Sequence, residues 1–318
     1  MLAGGIALAA SGAVAAVWSV GPGPGELSLD QALRRAADGD AIHVAPGHYP
    51  GQVAVIAQRR LTIRGIGDRP VFSADGRHAQ GKAIWVIRDG DIAIENIEFR
   101  GARVPDGNGA GIRFQRGRLV VIRCAFIDNQ MGLLTGDDPH STLRVADSQF
   151  SDAPVNPGSL PHLLYVGRIA RFELTGSTLQ RGREGHLVKS RARETLIVGN
   201  LIDDGASGRA SYEIDLPNGG LATIERNTIG QGAATGNETM LAYGAEGQAW
   251  PHSALTVSGN TFINRRAGGG WFVRVWPDRL PAGTPVTSRD NLLQGPGRMQ
   301  LGPGADAAGD RRGPWPAR

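Results

Sequence analysis

Self-similarity constrains this chain more than any other property. Eight segments share one pattern: IENIEF (94–99), VIRCAF (121–126), VADSQF (145–150), LTGSTL (174–179), IVGNLI (197–202), IERNTI (224–229), VSGNTF (257–262) and SRDNLL (288–293). Each closes on Phe, Ile or Leu, and all but the first carry a small residue or Asn two places earlier. The closing residues are 27, 24, 29, 23, 27, 33 and 31 positions apart. A unit of this length cannot bury an apolar face alone, so it must stack on copies of itself. Amphipathic 3.6-residue spacing over longer units is missing, which excludes a helical solenoid, and the short alternating runs read as strands. Asn200, Asn227, Asn260 and Asn291 recur at equivalent positions and predict a ladder of side-chain amides bonded from coil to coil. Eight or nine coils about 4.8 Å apart are expected.

Composition supports many turns and short strands: 47 Gly and 19 Pro stand against 6% aromatic residues in 318. One elongated domain is expected over 26–302, with a flexible Gly-, Pro- and Arg-rich tail at 303–318. Residues 1–25 combine a small, apolar stretch ending at Val20 with a GPGPG break, and read as an export signal or membrane anchor. The protein is therefore expected to be periplasmic or secreted. The formal charge of +4 biases it toward anionic partners. Dispersed basic residues and the absence of a reader module argue against nucleic acid. Cys124, the only cysteine, cannot pair within the chain and reads as an inert core thiol.

SLDQALRRAADGDAIHVAPGHYPG (28–51) reads as an amphipathic helix opened by Ser28 or Asp30 and stopped at Asp38-Gly39, followed by a strand and a turn. This segment resembles the N-terminal cap of the pectate-lyase-like β-helix superfamily, and the coils after it are similar to that superfamily's repeats over roughly 26–295. The resemblance implies an all-β, right-handed, single-stranded parallel β-helix with an N-terminal capping helix. It leaves the activity open, because one fold hosts many functions.

Aligning HLLYVGR (162–168), HLVKSRA (186–192) and ASYEIDL (210–216) at a constant offset of 24 puts Tyr165, Lys189 and Glu213 in one outward column. Gly167, Arg191 and Asp215 form a second column beside it, with Val166, Val188, Ile214 and Leu216 inward. In the structural reading, these charges form a cross-coil ion-pair ladder of Lys189 with Glu213 and Arg191 with Asp215. In the functional reading, Lys189 and Arg191 face a substrate carboxylate. Arg168, Arg191 and Arg193 around Lys189 favour the neutral amine that a base requires, and Tyr165 could serve as acid or base. His162 and His186 stack at the same offset and are expected to position or hydrogen-bond rather than bind metal. Glu213 and Asp215 could hold the cations or supply oxygen ligands to calcium, although no cofactor is required. Tyr243 and Glu246 are expected at the groove edge.

HLVKSRARETLIVGN (186–200) resembles the segment around the catalytic lysine of the alginate-lyase and chondroitinase-B-like β-helix family. The resemblance implies that Lys189 is the base and that the partner is an acidic polysaccharide cleaved by β-elimination; a monomer is expected. One coil later the family pattern expects an arginine-bearing strand; this chain has SYEIDLPNGG (211–220), so Arg191 or Arg168 must substitute. By these readings Lys189, Arg191, Tyr165 and His186 are the catalytic candidates, while His162, Arg168, Arg193, Glu213, Asp215, Tyr243 and Glu246 are the substrate-binding ones. A glycoside hydrolase, a C5-epimerase sharing the proton-abstraction step and a non-catalytic glycan-binding β-helix stay open. The hydrolase reading is weakened because Asp137-Asp138 lacks a preceding Asn-Thr-Asp and Gly185-His186 is followed by Leu187.

Overall fold

The computed structural model describes residues 15–155 and 160–315. The chain is an all-β, right-handed parallel β-helix of about 10 turns. Three parallel sheets of twelve, eleven and ten strands run the length of the stack. Sheet I begins at Val17–Val20, sheet II at His48–Pro50 and sheet III at Ala54–Ile56. The count exceeds the eight or nine coils read from the Asn and Phe signature because the first coils, such as that containing Ala41–Val44, lack it. No helix among the described residues is long and apolar enough to cross a membrane.

The closing Phe, Ile or Leu of each repeat forms the inward row of sheet II. Tyr49, Phe72, Phe99, Phe126, Phe150, Leu179, Ile202, Ile229, Phe262 and Leu293 succeed one another in register. Phe99, Phe126 and Phe150 stack face to face at 5.2 and 4.5 Å between ring centroids. Trp85 of sheet III wedges edge-on between Phe72 and Phe99, 4.8 Å from each. Burying such side chains contributes about 1.5–3 kcal/mol each, and the ring geometries add to that.

The amide ladder occupies the turn between sheets I and II. Asn200 Nδ2 donates to Asn227 Oδ1 at 2.9 Å, and Asn227 Nδ2 donates to Asn260 Oδ1 and Asn260 Nδ2 to Asn291 Oδ1, both at 3.0 Å. Where the sequence has Ser instead, the hydroxyl takes over. Ser148 and Ser177 continue the column upward, and the Cys124 amide donates to Ser148 Oγ. Cys124 is fully buried, which pushes its thiol up to about 12.

The ends follow the same logic. Leu29–Arg35 is the capping helix, held by a capping box in which Ser28 Oγ accepts from the Gln31 amide and the Gln31 side chain accepts from the Ser28 amide. Of the stretch expected as a leader or anchor, residues 1–14 lie outside the described residues. Val17–Val20 pair in parallel with Ala41–Val44, and Trp18 Nε1 donates to Asp40 Oδ2 at 3.0 Å. In the stretch expected as a flexible tail, Asp306–Ala308 and Arg311–Gly313 are strands on sheets I and II, and Asp310 ends the amide ladder by accepting from Asn291.

Candidate active site

Sheet III carries the unusual residues on its outer face. Its register places Arg113, Leu134, Tyr165, Lys189, Asp215, Ala242 and Arg274 in one row across seven strands. The residues beside them, from Ile112 and Leu133 through Leu164, Val188 and Ile214 to Val273, fill the core. The offset of 24 holds from Tyr165 to Lys189 and then becomes 26, so Lys189 pairs with Asp215 and not Glu213. The cause is a longer turn. Twelve positions separate Ile202 on sheet II from Ile214 on sheet III, against nine between Leu179 and Val188.

That shift corrects the placement of Glu213. At the bend before each sheet III strand, consecutive residues both enter the core: Leu163 with Leu164, Leu187 with Val188, Met240 with Leu241. Period-2 alternation therefore fails there, and Glu213 occupies the inward position between Leu187 and Met240. It is fully buried, neither carboxyl oxygen has a hydrogen-bond partner among the described residues, and burial raises its pKa well above the ordinary value. It is neither a cation holder on the outer face nor a calcium ligand with Asp215. Among the described residues, no three His, Cys, Asp or Glu side chains converge as a metal site. Tyr243 also moves from the expected groove edge to the core, where its hydroxyl donates to Gly220 O at 2.6 Å.

The other candidates converge on Lys189. Its Nζ lies 2.6 Å from Glu246 Oε1 and 3.2 Å from Asp215 Oδ2. Arg191 donates from Nη2 to Glu246 Oε2 at 2.5 Å, from Nη1 to Asn218 Oδ1 at 2.8 Å and from Nε to Tyr165 Oη at 3.0 Å. The arginines expected around Lys189 are thus engaged elsewhere, and two carboxylates face its ammonium instead. Arg193 pairs with Glu194 at 3.9 Å. Arg168 donates to Gln248 O at 3.1 Å and lies 4.2 Å from the Trp250 ring centroid, while Trp250 Nε1 donates to Arg191 O at 3.0 Å. Burial opposes the Glu246 charge, yet hydrogen bonds from Lys189 and Arg191 hold its carboxyl below the ordinary value.

The histidines form a second tier. Gly185 lets the turn pack against the coil above, since a Cβ there would lie 1.6 Å from Pro161 O. The His186 amide then donates to His162 Nδ1 at 2.9 Å, and the Tyr212 amide to His186 Nδ1 at 3.3 Å. Burial and the nearby cations lower His162 to about 3 and push His186 well below its ordinary range, so both rings are neutral with the proton on Nε2. His186 Nε2 stands 3.4 Å from Asp215 Oδ2, and the two rings stack at 4.6 Å. Burial raises Asp215 to about 6 against the opposing Lys189 charge. The result is a chain from His186 through Asp215 to Lys189. Toward the N-terminal end of the row an open cleft of about 480 Å³ is lined by Arg113, Thr135, Asp137, Leu160, His162 and Tyr165, among others.

Arg113 and Arg274 are the charged row members that sequence reasoning missed. Successive offsets along the row of 21, 31, 24, 26, 27 and 32 residues hide them from any constant-period alignment.

No family model and no curated protein matches the chain. Solved structures do. The alginate lyase from Paenibacillus sp. str. FPU-7 superposes with a TM-score of 0.64 at 16% identity, over 92% of this chain and 99% of that one. Pectate lyase Pel9A gives 0.57 at 14%, over 94% and 80%. PL6 family alginate lyase AlyGC gives 0.56 at 14%, over 92% of this chain and 40% of its own. At these identities the likeness is one of fold, and in fold the chain resembles the pectate-lyase-like parallel β-helices, an architecture it shares with polysaccharide lyases.

Proposed function

We propose that the protein is a polysaccharide lyase that cleaves a uronate-containing glycan by β-elimination on the outer face of sheet III. The observation that carries this reading is the Tyr165–Arg191–Lys189 cluster: a phenol oxygen accepting from a guanidinium, beside a lysine whose ammonium faces two carboxylates. Glu246 bridges Lys189 and Arg191 as a uronate carboxylate would, so those cations are suited to take a substrate carboxylate in competition with it. Neutralising that group makes the neighbouring C5–H acidic.

Tyr165 Oη, which accepts from Arg191 Nε, takes the C5 proton as its own hydroxyl proton passes to solvent; the C–H electrons form the C4–C5 double bond as the C4–O bond breaks. Lys189 gives a proton to the departing oxygen, and solvent re-protonates Lys189. This assigns Lys189 the acid role rather than the base role implied by the lysine segment. His186 and Asp215 are positioning residues that aim Nζ, and Arg168 with Trp250 braces the turn carrying Glu246. Such a reaction leaves an unsaturated uronate at the new non-reducing end.

The test is incubation with polygalacturonate, alginate and chondroitin while following the ultraviolet absorbance of that unsaturated sugar. Absorbance rising together with new chain ends on one of these substrates is the expected result. New reducing ends without absorbance would replace the reading with hydrolysis. Exchange of solvent hydrogen into C5 without cleavage would replace it with epimerisation.

A further inference from the structure

Among the described residues, the buried side-chain nitrogens of only two arginines find no hydrogen-bond partner: Nε of Arg113 and Nε of Arg274. An arginine is the strongest planar donor a protein can offer to a carboxylate, and leaving its N–H groups desolvated without a partner is costly. Both arginines stand on the row that carries Lys189. Arg113 is three strands from it in one direction, through Leu134 and Tyr165. Arg274 is three strands from it in the other, through Asp215 and Ala242. At about 4.8 Å per strand each lies roughly 14 Å from Lys189, and the two are roughly 29 Å apart.

The surroundings of each arginine fit a ligand group. Arg113 lines the open cleft beside Tyr165; Asp137 and Asp106 act on it at a distance, and it makes no hydrogen bond or ion pair among the described residues. Arg274 lines a separate open cleft of about 730 Å³ with Ser211 and Asn237. Its Nη1 reaches Glu238 Oε1 only at 3.8 Å, and its guanidinium lies 5.4 and 4.8 Å from the ring centroids of Trp271 and Trp276, the Trp271 ring also carrying Arg298 at 4.0 Å. An indole beside a guanidinium presents an apolar face for a sugar ring and a fork for its carboxylate.

We propose that Arg113 and Arg274 are the outer carboxylate-binding positions of one track, and that the protein binds a long polyuronate laid across the strands of sheet III with its middle over Lys189. The inference deepens the lyase reading, on which its choice of ligand class rests, by fixing the length and direction of the chain that the site takes. Two flanking positions hold the substrate on both sides of the reacting unit, so cleavage falls within the chain rather than at its end. Linking several weak carboxylate contacts on one polymer raises affinity far above that of any fragment.

The test measures binding by calorimetry, not turnover, with size-fractionated oligogalacturonate and oligoalginate as probes, using protein carrying Lys189→Met to prevent cleavage. Affinity should climb with chain length until the oligosaccharide spans about 29 Å and then level off. Arg113→Gln or Arg274→Gln should weaken the long oligomers about ten- to a hundredfold and leave the shortest unaffected. Each variant is compared with its parent by circular dichroism, and the parent's length series is read even where a variant fails to fold. Affinity that levels off at two or three units, or long-oligomer binding unchanged in both folded variants, would overturn the track. Equal binding of carboxyl-reduced, neutral oligomers, or of single-stranded DNA of matched length, would overturn the assignment to uronates. Length-dependent binding without any turnover in the unmutated protein would sustain the track and sink the lyase reading, so the two fail separately.

Discussion

Replacing Glu213 by leucine should stabilise the protein, increasingly so as the pH rises. Glu213 lies in an inward column between Leu187 and Met240, with no solvent exposure and no partner for either oxygen. Burial raises its pKa well above the ordinary carboxyl value, so the folded state retains a proton that the unfolded chain releases. The native protein binds more protons than the denatured one, hence wild-type stability is fullest below about pH 4.5 and falls as the pH climbs toward the folded-state value. That loss runs at about 1.4 kcal/mol per pH unit. Beneath it lies a pH-independent cost of about 1–3 kcal/mol for an unpaired buried carboxyl. Glu213→Leu removes both terms and completes the apolar column, so the gain should be about 1–2 kcal/mol at pH 5 and larger at pH 7. Glu213→Gln should flatten the pH dependence without the full gain. Urea unfolding of the three proteins between pH 5 and 8 measures this. A leucine variant less stable than wild type throughout, or one with the wild-type pH slope, would refute the inward placement.

The amide ladder predicts the opposite sign. Asn227→Ala leaves Ile197 O, Asn260 Oδ1 and the Asn200 amide and side chain short of a buried partner, and should cost on the order of 3–6 kcal/mol in the same urea assay. Asp215, raised to about 6, should give the turnover profile an acidic limb near that value, because protonation removes the charge that aims Lys189; Asp215→Asn should abolish the limb along with most activity. If Glu246 competes with substrate for Lys189 and Arg191, Glu246→Gln should lower KM for an acidic glycan severalfold with kcat largely kept. A raised KM would mean that Glu246 orients the cations instead.

The scaffold was legible because its signals are periodic. The Phe, Ile or Leu closing each repeat is the inward row of sheet II, and the recurring Asn is the ladder beside it, since both positions meet their own copies in the next coil. Ser28 or Asp30 announced the start of the capping helix, and the structure selects Ser28, boxed with Gln31. The site was legible only where a coil kept the 24-residue length that the alignment assumed, and the pairing of Tyr165 with Lys189 survives for that reason. A longer turn before Ile214 shifted the next strand, bringing Asp215 beneath Lys189, while the bend carried Glu213 inside. Arg113 and Arg274 escaped notice because insertions of different size separate them from Lys189, although register places them on its row. Turn length is set by local backbone geometry at the corners of the coil, which side-chain periodicity does not report.

The central claim is that Tyr165 and Lys189 perform a β-elimination that Arg191 makes feasible. Its most direct test follows formation of unsaturated uronate by wild type, Tyr165→Phe and Lys189→Met on whichever acidic glycan the wild type degrades, with glycan binding and unfolding midpoint measured on the same samples. The account predicts that each variant binds glycan and stays folded while its kcat falls by about two orders of magnitude or more. Near-wild-type kcat in a folded Tyr165→Phe protein would contradict it.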